Sequence, residues 1–186
     1  MKKLNKSFKA LNLPNRLALL RILLAPLMLF FIIGRDLPFL RLLDGSWLDY
    51  FAGLIFVIAA ITDFFDGYIA RQWDQITKLG AILDPLADKM LMLAGFLGLM
   101  LIDRANIWAV FLILSREFFI TGLRVVVASE KRNLAASMAG KIKTVVQMFA
   151  IGFLIMSWPY ASLLLWVAVI LTLYSGYEYT KEYFVD

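Results

Sequence analysis

Six apolar runs, each close to the length of a membrane-crossing helix, dictate what this chain can fold into. They lie at about 16–33, 48–70, 79–101, 107–128, 141–157 and 160–178. An α-helix needs about 20 residues to cross the hydrocarbon core of a bilayer. Polar turns separate the runs, among them Gly34-Arg35-Asp36, Ile102 to Asn106, and Ser157-Trp158-Pro159-Tyr160. The stretch 35–47 reads as a loop or short interfacial segment. Hydrophobic residues make up 62% of the 186, against about 45–50% in soluble domains. The expected fold is therefore an all-α integral membrane protein, a single domain over 1–186 with six transmembrane helices. A short juxtamembrane amphipathic helix precedes them at 1–13. There Leu4, Phe8 and Leu11 fall at helical spacing among Lys2, Lys3, Lys6 and Lys9, a pattern suited to anionic lipid. A frayed basic tail is the plainer alternative.

The charges orient the bundle. With six spans both termini share one side, and of 19 Lys and Arg only Arg35, Arg41 and Arg104 then fall on the other. Basic residues collect in the cytoplasm, so both termini are expected there, in the inner (cytoplasmic) membrane of the cell. Trp47, Trp73, Trp108 and Trp158 fall near span ends, where aromatic belts form. The basic start carries no small-residue cleavage site and is expected to be retained. The net charge of +5 is explained by this anchoring, and no nucleic-acid partner is expected. The chain has no Cys and no His. That excludes disulfides, thiolate nucleophiles, imidazole bases and the usual zinc ligands.

What remains is carboxylate. Asp63, Asp66, Asp84 and Asp88 lie in or beside the second and third runs. A charge at a helix centre costs about 2.5–3.5 kcal/mol there, and an intramembrane carboxylate is a functional-site candidate. The spacings of three and four put each pair on one helix face. Asp66 and Asp84 sit at similar distances from the intervening cytoplasmic turn, about 8–9 Å deep at 1.5 Å per residue, so the four can meet at one level. Four ionised carboxylates together need compensation. Hard divalent cations such as Mg²⁺ or Mn²⁺ take oxygen ligands of this kind, and a pair of them serves phosphoryl chemistry. The small residues Gly67, Ala70, Gly80 and Ala81 would admit phosphates or a neighbouring helix. Pro85 would open or kink the third helix.

The pattern Asp63-x2-Asp66-Gly67-x2-Ala70-Arg71-x8-Gly80-x3-Asp84-x3-Asp88 resembles the signature of the CDP-alcohol phosphatidyltransferases at all eight fixed positions. The six-span layout is similar over essentially the whole chain. The resemblance implies that Asp63, Asp66 and Asp84 hold two metal ions (Mg²⁺ or Mn²⁺), with Asp88 close to them as general base. It also implies that Asp66, Gly67, Ala70, Arg71, Thr77, Gly80 and Asp84 line the site of CDP-diacylglycerol. An alcohol deprotonated by Asp88 would attack the β-phosphorus in line and expel CMP. The family is commonly dimeric, so a homodimer is expected; Gly95 and Gly98 could serve a helix interface or internal packing.

The acceptor alcohol is read from elsewhere. Ser115 to Arg124 and Gly140 to Met148 place Arg116, Arg124, Lys141 and Lys143 in or near apolar runs. A buried Arg requires an anion. It finds one either in a carboxylate such as Glu117 or Asp88, or in the phosphate of an acceptor bound beside the metals. Lys141 and Lys143 are alternatively snorkelling anchors. These stretches, with Asn12-Leu13-Pro14-Asn15 and Arg21, resemble the branch of the family that makes phosphatidylglycerol phosphate. The implied acceptor is glycerol 3-phosphate. Ala18 departs from the Thr usual in that branch. Inositol phosphate or serine is the alternative acceptor, although serine has no phosphate to occupy four cations. The competing class is a cation transporter, which would need ionisable residues through the outer halves of the second and third spans. Those halves are apolar.

Overall fold

The structure, a computed structural model, describes residues 12–38, 40–72, 80–129 and 137–185, without the side chains at 36, 64, 66–72, 81 and 185. Six α-helices run through them: α1 (Leu13–Ile33), α2 (Gly45–Gln72), α3 (Gly80–Leu101), α4 (Ile107–Ser129), α5 (Met138–Ile155) and α6 (Ala161–Val185). A 3-10 turn, Gly34–Asp36, follows α1. The expected juxtamembrane helix at 1–13 lies almost wholly outside the described residues, as does Trp73. There is no strand among the described residues.

Helix starts follow local chemistry. Asn12 caps α1, its side chain accepting from the Asn15 N–H at 3.2 Å. Pro14 occupies the first turn, where its missing N–H costs nothing. Ser137 caps α5 through the Gly140 N–H at 3.1 Å. Asn106 takes the Trp108 and Ala109 N–H groups at 2.9 and 3.2 Å to open α4. Such caps are worth about 1 kcal/mol each. Proline is also present inside two helices, Pro26 in α1 and Pro85 in α3; Pro85 does not break α3.

The chain forms two compact units, Met1–Gly98 and Leu99–Asp186. In the first, α1 packs along α2. Ala18, Ala25, Met28 and Ile32 form the buried stripe of α1, and Leu48, Ala52, Phe56 and Ala59 that of α2. Gly98 on α3 admits α1 closely, since a β-carbon there would lie 2.8 Å from Leu29 Cδ1 and 3.0 Å from Ile32 Cγ2. Gly98 thus serves packing within the chain, the second of its two expected uses. Arg35 pairs with Asp49, tying the 3-10 turn to the start of α2.

In the second unit α6 packs on both α4 and α5. Leu165, Ala168, Val169, Thr172, Ser175 and Tyr179 are among its buried positions, recurring every three or four residues as a helix face requires. The α3–α4 turn places Asp103 in the left-handed region (φ 57), which Asp tolerates better than most residues. Next to it, Arg104 donates to the Ile155 carbonyl at 2.5 Å and closes the end of α5.

The surface is inverted relative to a soluble protein. Leu23, Leu54, Ile82, Phe111, Phe149, Leu163 and Ile170 are exposed, while Asn15, Arg21, Lys143, Gln147, Thr172 and Ser175 are buried. Water would penalise that arrangement and a bilayer stabilises it. Four stretches, Leu13–Ile33, Gly45–Asp63, Met138–Ile155 and Ala161–Phe184, are long and apolar enough to cross a membrane. Helices α3 and α4 are long enough too, but each carries three charged residues: Asp84, Asp88 and Lys89, or Arg116, Glu117 and Arg124. Among the charges that lower their apolarity, Asp84, Asp88, Arg116 and Arg124 are ones singled out for chemistry. The protein is an all-α membrane protein. Trp47, Trp108 and Trp158 lie exposed at helix ends.

Candidate functional site

The carboxylates come from the last turns of α2 and the first turns of α3. Asp63 lies on α2 and Asp88 on α3, and both meet one nitrogen of Arg21 from α1. Arg21 Nη1 donates to Asp63 Oδ1 and, at 2.5 Å, to Asp88 Oδ1. The arginine side chain has no exposure, whereas Asp63 and Asp88 keep 34% and 46% of theirs. The cation is therefore the floor of the cluster and the two carboxylates are its rim. Asp84, one turn before Asp88, has its Oδ1 buried and without a hydrogen-bond partner. Asp66, Gly67, Ala70 and Arg71 are in the helical end of α2, but their side-chain placement lies outside the described residues, and so does Thr77. Gly80 begins α3 and is buried. Among the described residues no three acidic groups are gathered as a ready metal cage. The described donors are nevertheless all carboxylate oxygens, and Asp84 offers one that no protein donor claims. That chemistry fits a hard divalent cation.

Sequence reading singled out Arg21 only as part of a motif. What it did not supply was the role, because the arginine's partners lie 42 and 67 residues away and no local spacing encodes them.

The basic residues of the second unit form another cluster. Glu117 on α4 accepts from Lys143 of α5 and faces Arg116 Nη1 at 3.4 Å. Arg116 Nη2 donates to Ser175 Oγ of α6 at 2.9 Å, and its Nε is buried without a partner. Arg116 and Lys143 side chains are 9% and 7% exposed. Two buried cations thus share one carboxylate, leaving an excess positive charge and an unused donor. Gln147, one turn after Lys143, donates to Thr172 at 2.6 Å. Arg124 is placed differently: it is exposed, with its guanidinium over the Tyr179 ring at 5.4 Å from the centroid. It remains within electrostatic range of Arg116 and Lys143. Lys141 is exposed.

Two contributors on α6 were missed by sequence reading. Ser175 holds the guanidinium, and Gly176 makes room for its stem, since a β-carbon there would lie 3.0 Å from Cγ and Nε of Arg116. A Ser-Gly pair inside an otherwise bulky helix was the available signal.

Comparison with known proteins bears on the family of the chain. The family model described as CDP-alcohol phosphatidyltransferase matches residues 11–174. A protein of Bacillus subtilis (strain 168) is 43% identical over 182 residues, covering 92% of this chain and 94% of the relative. One of Rickettsia typhi is 38% identical, covering 91% and 96%, and one of Salmonella typhimurium is 38% identical, covering 90% and 92%. All three are named CDP-diacylglycerol–glycerol-3-phosphate 3-phosphatidyltransferase. With the signature placed on α2 and α3 and the match running through nearly its whole length, the chain belongs to the CDP-alcohol phosphatidyltransferase family.

Proposed function

We propose that the protein transfers the phosphatidyl group of CDP-diacylglycerol to glycerol 3-phosphate, giving phosphatidylglycerol phosphate and CMP. The observation that carries this reading is its 37–43% identity, over nine-tenths of the chain, to relatives named for that reaction. The whole chain, 1–186, acts as one catalytic domain with six spans in the cytoplasmic membrane. Its termini and site face the cytoplasm, and it works as a homodimer.

Asp63, Asp66 and Asp84, with Asp88 close by, would hold two Mg²⁺ or Mn²⁺ ions. When bound there, the ions supply charge neutralisation for a diphosphate and its leaving group. Asp66, Gly67, Ala70, Arg71, Thr77, Gly80 and Asp84 bind the CDP moiety. Asp88 takes the proton from the acceptor hydroxyl, whose oxygen bonds to the β-phosphorus as the bond from that phosphorus to the CMP oxygen breaks. Asp88 is suited to the role: it is partly exposed, and the buried Arg21 fixes one of its oxygens. The acceptor phosphate is held by cations drawn from Arg116, Arg124, Lys141 and Lys143. Arg116 is the best supported of them, with its buried unused Nε and net positive surroundings. A phosphorylated acceptor suits these cations better than serine does.

The test is CMP release by the purified protein with both substrates varied. Arg116→Ala should raise the KM for glycerol 3-phosphate about 10–100-fold, the value of a charged hydrogen bond, with the KM for CDP-diacylglycerol little changed. A change confined to the CDP-lipid KM would remove Arg116 from the acceptor site. Gly176→Ala should raise the same acceptor KM by about 3–10-fold, because the added methyl crowds the stem of Arg116. Combining it with Arg116→Ala should add little further.

A further inference from the structure

Arg21 has a consequence for the metal-free protein. A fully buried guanidinium is strongly unfavourable unless it is paired, and carboxylates crowded in an apolar setting are unfavourable unless they are neutralised. Arg21 on α1 is paired by Asp63 on α2 and Asp88 on α3 through one nitrogen, and its single charge offsets half of theirs. The two carboxylates keep 34% and 46% of their side-chain exposure, while the cation lies behind them at zero exposure. A divalent ion arriving at the rim therefore meets carboxylates that already share a positive charge.

We propose that Arg21 is the resident counter-cation of the aspartate cluster: it holds α1, α2 and α3 together when no metal is bound, and it opposes the divalent ion energetically when one binds. This inference rests on the reading of the aspartates as a metal site. Two cations that draw on the same carboxylates repel, so each weakens the binding of the other. Arg21 would then keep the apo-enzyme folded and the metal exchangeable. A residue that served packing alone would change the stability of metal-free and metal-loaded protein alike.

The experiment uses the full chain in detergent, stripped of metal, with Mn²⁺ as the only probe. Binding is read by the electron paramagnetic resonance of free Mn²⁺, and stability by Tm with and without Mn²⁺. Arg21→Met should lower the metal-free Tm, bind Mn²⁺ about tenfold more tightly than wild type (one unit charge a few ångströms away, partly screened), and gain more Tm on Mn²⁺ addition. Arg21→Lys keeps the charge and should bind Mn²⁺ nearly as wild type does. If the Met variant fails to accumulate, Arg21→Gln reads the same two quantities. Equal or weaker Mn²⁺ binding in the neutral variants, alongside measurable binding in the wild type, would overturn the role of Arg21 and leave the metal site standing. Absence of Mn²⁺ binding in the wild type would overturn the metal reading, and this inference with it.

Discussion

Asp88→Asn is expected to lower kcat by about 10²–10⁴-fold, the usual contribution of a positioned general base, while Mn²⁺ and CDP-diacylglycerol still bind. The amide is nearly the same shape and retains an oxygen for Arg21 Nη1, now 2.5 Å from Asp88 Oδ1. What it loses is the capacity to accept the acceptor's proton. Steady-state CMP release gives kcat, and titration with Mn²⁺ and with the CDP-lipid gives the binding side. Normal turnover in the variant would remove Asp88 as the base. A loss of metal binding as large as the loss of turnover would reassign it as a ligand above all.

Asp84→Asn should separate stability from activity. Asp84 Oδ1 is buried without a donor, a situation that costs about 1–3 kcal/mol. Removing the charge should therefore leave the metal-free Tm unchanged or raise it. Turnover should fall to about 1% or less, the scale on which losing one main electrostatic stabiliser of a transition state is felt. A thermal melt in EDTA and a CMP-release assay read the two halves. If the variant were destabilised in EDTA, Asp84 would have an undescribed stabilising partner; if it stayed active, it would not be a metal ligand. Stability given up locally in exchange for function is expected at such a position.

Much of the scaffold could be read from the chain because the signal was long and unbroken. The expected spans at 48–70, 79–101 and 107–128 correspond to helices Gly45–Gln72, Gly80–Leu101 and Ile107–Ser129. The largest difference is at the C-terminus, where the run expected to end at 178 continues as helix to Val185. The expected end was set by the fall in apolarity around Glu178, Lys181 and Glu182, whereas the helix continues through them, with Tyr179 buried. Between the last two helices, Ser157 and Tyr160 adopt positive φ, in agreement with the turn expected there.

The candidate site was legible in its composition but not in its pairings. Acidic spacing along two helices identified Asp63, Asp66, Asp84 and Asp88. The partnership of Asp63 and Asp88 through Arg21 depends on how α1 lies along α2, which no local pattern records. The same holds for Glu117. Sequence reading offered it as one possible partner of Arg116, and the structure shows it shared with Lys143. Ala18 is fully buried, so its methyl fills a place where a hydroxyl would need its own hydrogen-bond partner.

The central claim concerns which alcohol receives the phosphatidyl group. The direct measurement offers the purified protein CDP-diacylglycerol, Mg²⁺ and, in separate reactions, glycerol 3-phosphate, inositol phosphate and serine, and identifies the lipid formed by mass spectrometry. Phosphatidylglycerol phosphate, formed with stoichiometric CMP from glycerol 3-phosphate and at least about a hundredfold faster than product from the others, is the predicted result. Preferential formation of a different phosphatidyl lipid, or no CMP release with glycerol 3-phosphate, would contradict the account.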